Sequence, residues 1–451
     1  MLSAFRDSFK IPELRQRILF TLGLVFICRI VTSVPSPGVD ARALQMAVDN
    51  MQRTSGGGFM SWIDLFSGGA LSKCAVGALS IWPYISASII LQLMTAIVPA
   101  LERLAREGET GRQKLTQYTR YLTLVICVIQ GLFLAMGLEN AASLGLGGGV
   151  VLVRSGGWPF RLMTILTMTT GTMLLMWLGE QITERGIGNG ISIVITVNIV
   201  SRLPVAIAHT ATMFQGIGAG DARFGPFHMI GLVAMLFLVT AGTVCLTQGQ
   251  RKIPIHTTKR VVGRKVYGGQ NTYMPLRVNY SGVMPIIFAG AILAFPTALL
   301  GKMPWAFCRQ IASALQMGTG LHLLLYGGMI LFFSYFWVAT QFNPLQIADD
   351  LKRNGGFVPG IRPGRPTAEF LDKTMTRVTL IGALFLTVIA VLPSILNQQF
   401  DVPWLVASFL GGTSLLIIVG VSLDTMRQIE SHLLMRHYDG FLKKGKLRGR
   451  R

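Results

Sequence analysis

Long apolar stretches with few charged residues restrict the fold of this chain more than any other feature. A helix that crosses a bilayer needs about 20 mostly apolar residues. Ten windows of roughly that length lie near residues 18–35, 76–98, 119–138, 160–179, 188–208, 229–247, 283–300, 321–341, 376–396 and 403–424. Only 14% of the residues are charged, against roughly 25% in soluble domains. The sequence therefore predicts an all-α membrane protein with ten transmembrane helices.

The distribution of positive charge predicts the orientation. The net charge is +21, and roughly three quarters of the Lys and Arg residues lie in one alternate set of connections. That set includes both termini and is predicted to face the cytoplasm, where positive loops concentrate. Two of its loops are long, about 248–282 and about 342–375. Long loops tend to be functional, and the recurring Gly and Pro of "NGGFVPGIRPGRP" indicate a stiff projection.

Ten spans divide into two sets of five at the connection near 202–228. Two halves with an odd number of spans in one chain have opposite topology, and such inverted pairs enclose a site near the membrane midplane. We therefore expect an N-terminal half at 1–208 and a C-terminal half at 209–451, arranged around a central pore. No clear sequence repeat relates the halves, so this expectation is architectural.

The chain lacks the residue patterns of an enzyme. Sequence motifs for metalloproteases, for nucleotide-binding P-loops and for a nucleophile elbow are absent, and the five scattered cysteines form no C-x-x-C pair. We predict no enzymatic activity, no metal and no cofactor. The span interiors also hold few of the ionisable residues that a coupled carrier uses. A channel is therefore favoured over a secondary carrier for a small solute.

Among the prolines inside the apolar windows are Pro83 and Pro285. Because proline removes a backbone donor, each one predicts a kink in its helix. Kinked helices around a midplane cavity are typical of channels and of carriers alike, so this feature leaves both classes open.

A series of motifs runs in one order along almost the whole chain, each at a span boundary. They are "VPSPGVD", "FSGGALSK", "PYISASIILQL", "EGETGRQKLTQYTRY", "GEQITERGIGNGISI", "GQRKIPIHTTKRVVGRKVYGGQNTYMPLRVN", "QFNPLQIADDLKRNGGFVPGIRPG" and "GGTSLLIIVGV". Together they resemble the SecY family, the channel subunits of bacterial protein translocases. The resemblance implies a channel in the cytoplasmic (inner) membrane that translocates unfolded polypeptides across it and inserts hydrophobic segments laterally into it.

The resemblance also implies a plug, a short helix at the start of the second transmembrane segment that folds back and closes the pore from outside. The plug segment here is "FMSWIDLFSGGALSK", residues 59–73. Its small residues are expected to pack loosely and reversibly, since a plug must move aside. An ordinary outer loop that dips into the membrane is the alternative. The residues expected to fill the pore are Phe66, Ser67, Gly68, Gly69 and Ala70.

A ring of aliphatic side chains at the narrowest point of the pore is a second implied feature. An apolar constriction resists wetting and blocks ions, yet it can widen around a peptide. On residue type alone, each isoleucine would face lipid or a helix interface. Motif by motif, the resemblance gives the ring as Ile81, Ile85, Ile191, Ile195, Ile287 and Ile417.

A lateral gate and a docking surface complete the implied sites. Gln92 and Gln130 are polar residues inside segments 2 and 3 that could hold the gate shut, or could make ordinary interhelical hydrogen bonds. Basic residues of the two long loops suit ribosomal RNA phosphates or an acidic protein surface, although topology alone also requires positive charge there. These docking residues are Arg260, Arg264, Lys265, Arg362 and Arg365.

The implied partners follow from the same resemblance. Within the membrane they are small SecE-like and SecG-like subunits, signal sequences and lipids. On the cytoplasmic side they are the SecA motor ATPase and the ribosome, including its RNA, with nascent polypeptides as the substrate.

Overall fold

The computed structural model describes residues 11–54, 59–140, 152–153, 156–214, 225–257, 260–262, 265–267, 271–300, 305–316 and 318–444. The helices that precede the first long loop are α1 Pro12–Ser33, α2 Ala41–Thr54, α3 Phe59–Ser67, α4 Trp82–Ile97, α5 Pro99–Arg106, α6 Glu109–Glu139, α7 Trp158–Arg185, α8 Gly190–Val200, α9 Leu203–Phe214 and α10 Pro226–Gln248.

The remaining elements are mostly helical, with strands confined to the two long loops. In chain order they are β1 Gln250–Thr257, β2 Arg260–Val262, β3 Lys265–Tyr267, β4 Asn271–Arg277, α11 Met284–Leu300, α12 Ala306–Ala314, α13 Gly320–Gln341, α14 Pro344–Arg353, β5 Gly356–Phe357, α15 Arg365–Gln399, α16 Trp404–Leu410 and α17 Gly412–Lys444. The chain forms two compact units, one of Met1–Thr212 with Val421–Arg451 and one of Met213–Gly420. Whether the two predicted halves are inverted copies stays a prediction.

Several of these helices can cross a membrane. By length and composition, six stretches of the described residues qualify, and two bent helix pairs raise the number to eight if each pair is one span. The ten-span interpretation is consistent with this result when α1 and α11 are added. The first of these carries Arg15, Arg17 and Arg29, and the second has 17 residues, so both are marginal by these criteria. The six qualifying stretches are Glu109–Glu139, Trp158–Arg185, Gly190–Phe214, Phe227–Gln248, Gly320–Arg353 and Arg365–Gln399.

Glycines allow close approach of neighbouring segments inside each unit. In the first unit, a Cβ placed on Gly171 of α7 would lie 2.1 Å from the carbonyl oxygen of Val76. In the second unit, a Cβ on Gly382 of α15 would lie 2.5 Å from the carbonyl oxygen of Val278. Small residues at helix contacts are the usual means of packing in membranes, where burial of apolar surface drives little association.

The kinks predicted at Pro83 and Pro285 are wrong. Each proline is the second residue of a helix, α4 and α11 respectively. A proline at this position loses no intrahelical hydrogen bond, because the first N–H groups of a helix have no partner inside it. Pro393 lies inside α15, and Pro296 lies inside α11.

The two long loops of the second unit share one small sheet, which the sequence did not predict. Strands β1 and β4 pair antiparallel from Gln250 opposite Arg277 to His256 opposite Asn271. Strand β5 of the second loop pairs with the other edge of β1, with His256 opposite Phe357. The sheet packs on the ends of α13 and α15 through a buried cluster of Ile253, Leu276, Val338, Phe342, Val358, Leu371 and Met375.

Candidate functional site

The plug segment is a short helix that ends in a tight turn. Helix α3 ends at Ser67, whose Oγ donates to the carbonyl of Asp64 (3.0 Å) and accepts from the backbone N–H of Leu71 (3.1 Å). Gly68 and Gly69 follow with φ values of +67° and +85°. Such left-handed conformations favour glycine because it has no Cβ. The chain then continues through turns until α4 begins at Trp82.

Most side chains at residues 64–72 are buried within the first unit. Ser67 and Ala70 are 0% exposed, and Phe66 is 4% exposed. The Phe66 ring lies 5.8 Å from the Trp82 ring at the start of α4. The segment therefore packs tightly on its own unit, unlike the loose packing expected from its small residues. Its role as a plug stays a prediction.

An ion pair holds the tip of the segment, defined here as residues 64–72. The Asp64 carboxylate pairs with the guanidinium of Arg202, and these side chains are 2% and 15% exposed. The backbone N–H of Ser72 donates to Oδ1 of Asp64 (2.8 Å), and Nη2 of Arg202 donates to the Ser72 hydroxyl (3.3 Å). The three residues form a closed set of polar contacts inside an apolar environment, where charges need partners.

Arg202 lies at a break between two helices. The fifth apolar window divides into α8, which ends at Val200, and α9, which begins at Leu203. At the break, the Ser201 hydroxyl donates to the carbonyl of Asn198 (2.6 Å). The structure gives a reason for an arginine within this apolar window: its side chain binds the plug segment.

Two arginines lie directly over the two glycines. A Cβ on Gly68 would lie 2.7 Å from Nη1 of Arg29, and a Cβ on Gly69 would lie 2.8 Å from Cζ of Arg202. Real Cβ atoms do not approach other atoms so closely, so any side chain here would displace a guanidinium or the segment itself. Glycine is therefore favoured at both positions for two reasons: the positive φ, and the arginine side chain that would crowd a Cβ.

A second set of hydrogen bonds centres on Asn198 of α8, which is fully buried. Its Oδ1 accepts from Nη1 of Arg29 in α1 (3.4 Å), and its Nδ2 donates to the Ser80 hydroxyl (3.2 Å). That hydroxyl donates to the carbonyl of Phe66 (3.4 Å). These bonds connect α1, α8 and the turns before α4 around the plug segment.

The sequence did not single out Asp64, Ser72 or Asn198. A signal existed for the first of them: an acid within an apolar helix and an arginine within an apolar span both require partners in a membrane protein. Pairing them needs the fold, because Arg202 is more than 130 residues from Asp64 along the chain.

The predicted pore-ring residues divide between the two units. In the first, Ile81 and Ile85 are buried and one helical turn apart, since the N–H of Ile85 donates to the carbonyl of Ile81 (3.1 Å). Ile191 and Ile195 of α8 are half-buried, and Ile191 lies against Gly179 of α7. In the second unit, the buried members are Ile287 and Ile417. Convergence of all six on one constriction stays a prediction.

The predicted gate residues lie on two helices that pack together in the first unit, α4 and α6. Gln92 is exposed and Gln130 is half-buried. Within the described part of the chain, no hydrogen bond joins the two amides. The gate assignment stays a prediction.

The predicted docking residues lie on the loops that share the sheet. Arg260 and Lys265 belong to the hairpin of β2 and β3, and Arg264 lies outside the described residues. Arg362 is exposed. The side chain of Arg365 is 87% exposed, and its Nε lies 3.9 Å from Oε1 of Glu369. The second loop thus presents positive charge to solvent, while its docking role stays a prediction.

No cluster of three or more His, Cys, Asp or Glu side chains that could hold a metal ion occurs among the described residues.

Comparison with protein families and curated relatives gives a consistent result. The SecY family model matches residues 75–426. The protein translocase subunit SecY of Escherichia coli (strain K12) is 44% identical over 444 residues, covering 97% of this chain and 96% of that protein. The subunit of the same name from Thermotoga maritima is 42% identical over 455 residues, covering all of both chains.

Solved structures share the fold at lower sequence identity. A structure described as a protein conducting channel superposes with a TM-score of 0.61 at 17% identity, covering 92% of this chain and 91% of that one. Canine Sec61 in its ribosome-channel complex from the endoplasmic reticulum gives a TM-score of 0.57 at 15% identity, with the same coverage.

Proposed function

Because this chain belongs to the SecY family, we propose that it is the channel subunit of a protein translocase in the cytoplasmic membrane. It conducts unfolded polypeptides across that membrane and releases hydrophobic segments laterally into it. The proposal is supported by relatives named as translocase subunits that match this chain along nearly its whole length. A secondary carrier for a small solute has no such support, and an enzymatic role is not part of this proposal.

Closure of the resting channel by the plug segment carries the mechanism. Its tip is buried, combines small residues with Leu65, Phe66 and Leu71, and contacts α8 and the break that follows it. A hole between helices is best sealed by a body that is already folded and needs only to move. In the proposed cycle, a translocating chain displaces this body, and the ring of isoleucines then fits around the chain as an apolar collar that keeps ions out.

Partners on the cytoplasmic side are proposed from the shared sheet. The neighbours described as Sec61 in a ribosome-channel complex and as yeast Ssh1 bound to the 80S ribosome are ribosome-bound channels. For this chain, we infer a ribosome and a SecA-type motor as alternative partners of the same basic loops, since phosphates and acidic side chains both suit exposed arginine. SecE-like and SecG-like subunits and lipids would cover the exposed apolar faces of the helices.

A labelling experiment tests the proposed function. Ser67→Cys places a thiol at a site that is 0% exposed. In membranes holding the purified translocase, this thiol should resist a membrane-impermeant maleimide at rest. It should become reactive from outside when a polypeptide is trapped in transit. Lys73→Cys is the matched control, since Lys73 is exposed and should react in both states. Equal labelling of the two Ser67→Cys states contradicts the plug.

A further inference from the structure

The buried ion pair at the tip of the plug segment joins it to the broken fifth span. We propose that Asp64 and Arg202 form a latch whose opening sets how readily this channel leaves its closed state. This inference rests on the proposed plug role and adds to it the residues that control release. Arg202 acts here as a positioning residue, because it holds the plug in the closed state, before any polypeptide enters the channel.

Burial makes this pair suitable as a latch. Asp64 and Arg202 are 2% and 15% exposed, so neither charge is well solvated while the plug is closed. Removing one partner of a buried pair leaves the other charge uncompensated, which is strongly unfavourable. Moving the whole plug outward has a different outcome, because it carries Asp64 towards water and leaves Arg202 facing a hydrated pore. The pair thus resists small displacements and tolerates complete ones.

Ser72 makes the latch specific for one geometry. Its N–H fixes Oδ1 of Asp64 at 2.8 Å, and its hydroxyl accepts from Nη2 of Arg202 at 3.3 Å. Arg202 therefore binds both ends of the tip, at residues 64 and 72. The other nearby arginine, Arg29, donates instead to Oδ1 of Asn198. Each arginine has a distinct acceptor, and Asp64 is the carboxylate that the structure assigns to Arg202.

The hydrogen bonds of Asn198 have a different task. They reach Ser80 and, through it, the carbonyl of Phe66, at 3.2 and 3.4 Å. Ser80 lies two residues before α4, at the root of the segment. The bonds through Ser80 are neutral and reach the tip at Phe66, whereas the ion pair holds the tip at Asp64. The tip is thus held by bonds of different strength, since charged hydrogen bonds are about twice as strong as neutral ones.

Resting conductance in planar bilayers tests the latch without any substrate. The translocase is purified with its bound subunits and carries Asp64→Asn or Arg202→Gln. Either variant should open spontaneously on the order of a hundredfold more often than the parent, because one buried charge loses its partner. The exchange of both residues, Asp64→Arg with Arg202→Asp, should lower the frequency of spontaneous openings most of the way back to that of the parent. The matched control is Asp40→Asn, an exposed acid that caps α2 through the N–H groups of Arg42 and Ala43. It should stay silent, since Asn caps a helix equally well.

The outcomes separate the latch from the plug. Silent single variants that still show state-dependent labelling of Ser67→Cys would overturn the latch and leave the plug intact. Leaky single variants that the exchange does not rescue would show that the residues act independently, which also overturns it. Equal labelling of Ser67→Cys in both states would overturn plug and latch together. Should the neutral variants fail to accumulate, Arg202→Lys decides: the lysine nitrogen ends one bond short of Nη2, the atom that contacts both Asp64 and Ser72, so opening no more frequent than in the parent would refute the proposal.

Discussion

Arginine lies in opposite environments at the plug segment and at the basic loops of this protein. The side chain of Arg202 is 15% exposed and is paired with the buried acid Asp64. The side chain of Arg365 is 87% exposed, and its Nε lies 3.9 Å from the exposed acid Glu369. A buried charge must be satisfied by the protein itself, so Arg202 is part of the structure that it holds. An exposed charge is already satisfied by water, so Arg365 remains available to a partner. Exposure, more than residue type, separates the arginine proposed to close the channel from the arginine proposed to dock a partner.

The largest effect is expected from a substitution that crowds the buried arginine, Arg202. Gly69→Ala places a methyl group 2.8 Å from Cζ of Arg202, which must shift and weaken its bond to Asp64. We expect spontaneous channel openings on the order of tenfold or more above the parent, since each 1.4 kcal/mol changes an equilibrium tenfold. Single-channel recording without substrate measures this effect.

Gly108→Ala is the matched control for that variant. Gly108 has a similar φ of +80°, and a Cβ there meets no atom within 4 Å, so both substitutions place alanine at a positive φ and they differ in crowding. Leak of equal size in both variants would mean that strain alone opens the channel, and that the position of Arg202 over Gly69 is unimportant.

The sequence predicted the spans well because their signal is local. Apolar windows and the motifs at their boundaries located most helices. The sheet was missed although β1 alternates between exposed residues and the buried Ile253 and Ile255. A strand this short is ambiguous alone, and its partner β5 belongs to a different loop. The Asp64 pairing was missed for the same reason: contacts between distant segments leave no periodicity in the sequence.

A second test replaces two isoleucines of the predicted pore ring. Ile85→Asn together with Ile417→Asn would place amides in the predicted ring and let water persist there. We expect a several-fold rise in resting ion conductance, smaller than that of the latch variants because the plug still closes the pore. Ile90→Asn is the matched control, since Ile90 of the same helix is 43% exposed and is predicted to face lipid. Conductance equal to that of the parent would show that these isoleucines do not line the constriction.

The smallest effect on the channel itself is expected at the exposed arginines. Arg362→Glu with Arg365→Glu reverses two charges that water already solvates, and the contact of Arg365 with Glu369 at 3.9 Å is of the kind that contributes little to stability. The unfolding temperature should therefore stay within about 2 °C of the parent, and resting conductance should not change. Ribosome binding, measured by co-sedimentation, should instead fall and lose much of its dependence on salt, because contacts to phosphate release counterions in proportion to their number. Arg42→Glu, an exposed reversal predicted to lie on the other side of the membrane, is the control and should bind as the parent does. If the double reversal lowers the unfolding temperature while ribosome binding persists, these arginines belong with Arg202 as structural residues, and the distinction between closing and docking charges fails.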